Sequence, residues 1–189
     1  MLILSRKGEN VMAIIMNGKE LSKKIKEQVK KEVEKMHKEN IYPKLSVIMV
    51  GKDEASLVYI KNKTKACIET GIEYEEHILD ENITIEELKK FIEELNKRKD
   101  IHAILLQSPL PNGLDIYEAF KTIDYRKDVD GFSPTNIGRL TLNRPTFISC
   151  TAYGIIQLLK YYNITIKGSN AVILGRSNIV RKAFSTMLT

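Results

Sequence analysis

The chain has 189 residues, of which 43% are apolar and 29% charged, and its net charge is +6. That length accommodates one domain plus part of a second, and the balance of apolar and charged residues excludes a disordered or fibrous chain. The basic residues alternate with acidic neighbours, so no nucleic-acid tract stands out, and the small positive excess suits anionic small molecules or plain solubility.

Val11 to Met16 is apolar but too short for a membrane span or a full signal core. The recognisable pattern begins only at Met12, which marks residues 1–11 as an upstream extension. Ala13 to Met16 reads as a short strand, and Asn17-Gly18 turns the chain into a helix through Lys38 with Leu21, Ile25, Val29, Val33 and Met36 on one stripe. Glu20/Lys24, Glu27/Lys31 and Glu34/Lys38 line its exposed side as favourably oriented pairs. Leu45 to Val50 is the continuous apolar run of a buried parallel strand, ended by Gly51. A helix follows from Ala55 to Thr70 and stops at Gly71; Glu73 to Ile78 is a weaker strand. Thr84 and Glu87 form a capping box for a helix that turns Leu88, Phe91, Ile92 and Leu95 inward. Ile101 to Leu106 is the next strand, and Asp115 to Thr122 a short helix. Residues 123–149 read as mostly loop, Cys150 to Tyr162 as a helix, Asn170 to Leu174 as a strand and Asn178 to Leu188 as a helix. The strand–helix rhythm predicts an α/β domain with a largely parallel sheet over residues 12–149. Residues 150–189 then supply a connecting helix and the opening strand and helix of a Rossmann-like domain.

Three segments carry polar chemistry at the edges of these elements. Tyr59 and Lys63 are four apart on one helix and point the same way. They suit a surface pair, or a ring for stacking beside an amine that acts as acid or base. Gln107 follows an apolar strand, and Pro109 and Pro111 stiffen the turn behind it, where one prolyl bond is a candidate for cis. Asp130-Gly131 is a turn signal, and Asp130 is equally suited to accept paired hydrogen bonds from an amino-substituted ring. Gly175, Arg176 and Ser177 sit between a predicted strand and helix, either as a plain turn or as a phosphate contact. Cys67 and Cys150 show no metal-ligand spacing, nor do His37, His77 and His102, so no metal is expected and the thiols read as reduced and cytoplasmic.

Taken together, Val50-Gly51, Ala55-Ser56, Tyr59, Lys63, Lys65-Ala66, Gln107-Ser-Pro-Leu-Pro111, Lys127-Asp-Val-Asp-Gly-Phe132, Asn136, Cys150-Thr151 and Gly175-Arg-Ser177 resemble the bifunctional methylenetetrahydrofolate dehydrogenase/methenyltetrahydrofolate cyclohydrolase family. The resemblance implies two α/β domains flanking a cleft, with folate on the first and NADP on the second. It implies that Lys63 is the main catalytic residue, that Gln107 tunes it, and that Asp130 holds the pteridine. Tyr59 and Pro109 would line the ring, and Gly175, Arg176 and Ser177 would meet the cofactor phosphate. The implied partners are tetrahydrofolate derivatives and a second copy of the chain joined through the cofactor domain, with no nucleic acid and no membrane.

The sequence departs from the family pattern at Ser149 and Ala152, where the pattern has prolines, and at Arg181 and Ala183, where it has glycine and proline. The family also continues for about a hundred residues beyond Thr189, so the cofactor domain is expected to be incomplete and NADP binding weak or absent. A lone parallel strand leaves backbone unpaired on both sides.

Overall fold

The computed structural model describes residues 14–188 except 112. Seven α-helices and three strands alternate through these residues: α1 Gly18–Lys38, β1 Lys44–Val50, α2 Glu54–Thr70, β2 Glu73–Leu79, α3 Ile85–Lys97, β3 Ala103–Leu106, α4 Ile116–Thr122, α5 Pro134–Thr141, α6 Cys150–Tyr161, a π-helical turn Asn178–Lys182 and α7 Ala183–Leu188. The strands form one parallel sheet in the order β2-β1-β3. A central parallel strand must be apolar on both faces, and β1 obeys: Val47, Ile48, Met49 and Val50 are all buried.

The two faces of β1 feed separate cores. Ile48 and Val50 pack with Leu88, Ile92 and Leu95 of α3 and Ala119 and Phe120 of α4. Val47 and Met49 pack with Ile60 of α2 and Leu105 of β3. Each such side chain contributes roughly 1.5–3 kcal/mol through burial, so the sheet and these three helices make a firm base for the loops at its carboxyl edge.

Local signals set the element ends. Asp53 caps α2 by accepting from Ser56 N at 2.7 Å, and Gly71 ends it in the left-handed conformation, φ +81°. The Thr84–Glu87 capping box is formed in both directions. Lys127 reaches back to the end of α3, donating to the carbonyls of Asn96 at 2.8 Å and Arg98 at 2.7 Å. The 127–128 segment thereby lies beside β3, where Ile104 N donates to Lys127 O at 2.7 Å.

Four expectations need comment. Of the predicted strand at 13–16, Ala13 lies outside the described residues and 14–16 form no strand. The stretch 123–149 is mostly loop as expected, but it also holds the helix α5, which Ser133 caps by accepting from Asn136 N, with Pro134 at the first helical position. The helix stripe of α1 is only partly covered: Val33 is buried, while Ile25 is 38% exposed. Residues 170–174 are not a strand; among the described residues no strand pairs with them, and Val172 and Leu174 stay 86% and 95% exposed. An extended segment gains ladder hydrogen bonds only against a neighbour. No described helix is long and apolar enough to cross a membrane.

Candidate active site

Lys63 lies on the third turn of α2, half-buried, and its Nζ donates to Gln107 Oε1 at 2.9 Å. Gln107 is fixed independently of that contact. Its backbone N–H extends the sheet ladder by donating to Ile48 O at 2.8 Å, and its own Nε2 donates to Ser108 O at 2.7 Å. The amide is thus oriented with nitrogen toward a carbonyl and oxygen toward the amine. The next peptide bond, Ser108–Pro109, is cis, and Pro109 itself is exposed.

Asp130 completes the cluster from the turn after the sheet edge. Burial is the chief cause that raises its carboxyl pKa, and the Lys63 amine partly offsets this. The reciprocal holds for Lys63: burial lowers its pKa, and the charge of Asp130 opposes the shift. The pair therefore consists of an amine that gives up its proton more readily than usual and a carboxyl that keeps its proton longer.

The turn that carries Asp130 is held tightly. Gly131 has φ +66°, and a Cβ there would stand 3.0 Å from backbone atoms of Phe147, Ile148 and Ser149. This close crossing brings the start of α6 to the site, where Cys150 Sγ donates to Val129 O at 3.5 Å. Cys150 keeps an exposed face, yet enclosure of the sulphur, then the Asp130 charge, push its thiol up to about 11. It is a protonated thiol at neutral pH. Sequence reasoning quoted Cys150 and Asn136 as motif pieces without seeing that both brace this turn.

Tyr59 sits one helical turn before Lys63 and is 62% exposed, so it offers aromatic surface to solvent. Two surface grooves of about 670 and 650 Å³ lie elsewhere: one along α2 by Leu57, Ile60 and Ile68, the other by Leu79, Ile83 and Phe91.

The departures at 149 and 152 leave α6 intact: it starts at Cys150, and Ala152 is fully buried against its neighbours. Ser149 makes no side-chain cap bond, and its buried Oγ lacks a partner among the described residues.

Gly175, Arg176 and Ser177 lie on an exposed segment ahead of the π-helical turn. Gly175 has open space where a Cβ would stand. Ser177 Oγ is engaged as the cap of the following turn, accepting from Val180 N at 3.3 Å. With Val172 and Leu174 bare to solvent, the described residues at 172–177 do not enclose a dinucleotide. Among them no group of three metal-ligating side chains occurs.

Residues 16–130 match the family model described as tetrahydrofolate dehydrogenase/cyclohydrolase, catalytic domain, and residues 149–189 match its NAD(P)-binding domain. A protein named bifunctional protein FolD from Acetivibrio thermocellus is 49% identical over 176 residues, which cover 93% of this chain and 62% of that protein. The namesake from Oceanobacillus iheyensis is 44% identical over 94% of this chain and 62% of its own length. The crystal structure of the Campylobacter jejuni enzyme FolD superposes with a TM-score of 0.90 at 43% identity, covering 93% of this chain and 62% of that one. That of Trypanosoma brucei, complexed with NADP cofactor and inhibitor, gives 0.87 at 31% identity, with 93% and 60% covered. The chain therefore spans a little over three fifths of the relatives it matches. Its catalytic-domain match, its parallel sheet and these likenesses agree: the chain belongs to the tetrahydrofolate dehydrogenase/cyclohydrolase family.

Proposed function

We propose that the site formed by α2, the Gln107 turn and the Asp130 turn binds the pteridine ring of a tetrahydrofolate and hydrolyses 5,10-methenyltetrahydrofolate to 10-formyltetrahydrofolate. Asp130 accepts hydrogen bonds from the amino-substituted edge of the ring, and Tyr59 stacks on its face. Lys63 moves the protons. Water adds to the electron-poor methenyl carbon and loses a proton to the neutral amine; the carbon–N5 bond then opens as N5 takes that proton back and the hydroxyl gives its own to solvent, leaving the formyl group on N10. A lysine of lowered pKa suits both transfers, because general acid–base efficiency peaks when the group titrates near the working pH. Gln107 aims the amine, and the observation that supports the whole reading is the 2.9 Å bond between Lys63 Nζ and Gln107 Oε1.

The family's second reaction passes a hydride from 5,10-methylenetetrahydrofolate to NADP. The bare segment at residues 172–177 favours a narrower reading for this chain: a folate site with weak or absent NADP binding and no dehydrogenase turnover. The two are separated by assaying both activities on the same preparation. Replacement of Lys63 by Met should lower cyclohydrolase turnover by roughly a hundredfold or more, the usual scale of a lost acid–base group. Turnover within a few-fold of the parent would overturn the assignment. A tetrahydrofolate at about a hundred times its Kd should stabilise the fold by about 2.7 kcal/mol; unrelated nucleotides or sugars should not.

A further inference from the structure

Asp128 is a carboxylate that the proposed chemistry does not use, although it is only 2% exposed. It enters no ion pair among the described residues. Its Oδ2 instead accepts from Ser133 N at 2.8 Å and from Asn136 Nδ2 at 2.9 Å. Asn136 is itself fully buried and donates also to Tyr125 O at 2.9 Å. Its Oδ1 has no partner among the described residues. Its amide is thus committed to holding acceptors around Asp128, at the cost that attends a buried oxygen left without a partner.

We propose that Asp128 is the positioning residue for Asp130. Its backbone bridges to Ile104 of the sheet, and its side chain is tied to the first turn of α5. The chain between these anchors and the 147–149 crossing is only Val129 to Gly131, so the Asp130 carboxylate has one direction to face. The groups it faces are Lys63 from α2 and Cys150 from α6, with Asp128 behind it on its own turn. A fixed negative charge behind a carboxylate also makes its proton harder to lose, which adds to the effect of burial.

This inference rests on the folate reading for its ligand but not for its first readout. Asp128→Asn keeps the shape and one acceptor oxygen while removing the charge. In the intact chain, ¹³C NMR of the Asp130 carboxyl is followed against pH, and affinity for 5-formyltetrahydrofolate is measured by calorimetry. The expected result is an Asp130 titration moved to lower pH, with affinity reduced about tenfold. An unmoved titration together with unchanged affinity would overturn the proposal, even if thermal stability fell. Should Asp128→Asn fail to fold, Asn136→Ser leaves the charge and loosens one tether. Weaker binding of the probe then supports the proposal, and parental affinity contradicts it. If the parent chain does not bind the probe while Asp128→Asn still shifts the titration, the folate reading fails and the positioning of Asp130 stands.

Discussion

Gly131→Ala isolates the close crossing on which the site depends. Two costs are expected. A left-handed φ costs an L-residue roughly 1–2 kcal/mol. The new Cβ would also stand 3.0 Å from three backbone atoms of residues 147–149, and backbone cannot swing aside as the end of a side chain can. Overpacking of that kind typically costs a further 1–3 kcal/mol, so the expected total is about 2–5 kcal/mol. Gly168→Ala is the internal control, because Gly168 has φ +79° and nothing within 4 Å of its would-be Cβ. It should lose only the first term. At about 2–4 °C per kcal/mol for a chain of this size, thermal denaturation followed by circular dichroism should place Gly131→Ala several degrees below Gly168→Ala. Gly131→Ala alone should also weaken folate binding, since the strand of chain that must retreat leads directly into Cys150. Equal losses in the two variants, with binding untouched, would refute the close approach and with it the bracing of Asp130.

Thr84→Ala removes the side-chain half of the capping box at the start of α3, the Oγ1 that accepts from Glu87 N, and leaves the backbone half in place; it should cost about 1 kcal/mol in denaturant unfolding with no change in turnover. Asp130→Asn should change how stability depends on pH. The folded-state pKa of Asp130 lies above the ordinary aspartate value of 3.8, so between the two the folded chain holds more protons than the unfolded one. Stability from this group therefore falls as pH rises through that window. The variant lacks the effect, so its stability relative to the parent should improve from about pH 3 upward and level off above the folded pKa; a difference that stays flat with pH would contradict the raised value.

Much of the fold could be read from residue order because the signals were local. The run Leu45 to Val50, the Thr84–Glu87 box and Gly71 each act within a few residues, and each behaves as its chemistry dictates. The helix α5 was missed because its apolar periodicity is short, although Ser133-Pro134 is a cap followed by proline at the first helical position. The 170–174 stretch was misjudged for the opposite reason. Its composition favours a strand, but a strand is a property of pairs, and no described segment lies alongside it. At the site, Lys63, Gln107 and Asp130 were named from their segments, and Lys63 and Gln107 do meet. Asp128, Asn136 and Cys150 gained their parts only through long-range contact. Asp128 and Asp130 look alike in sequence, and burial and hydrogen bonding tell them apart.

The central claim is that residue 63 carries an amine made unusually acidic by enclosure beside Gln107 and Asp130. It is tested most directly by ¹³Cε NMR titration of Lys63, with and without a tetrahydrofolate. A midpoint below that of an ordinary lysine, lowered further in Asp130→Asn and moved again by the folate, is the predicted result. Titration at the ordinary lysine value, indifferent to both the variant and the ligand, would contradict it.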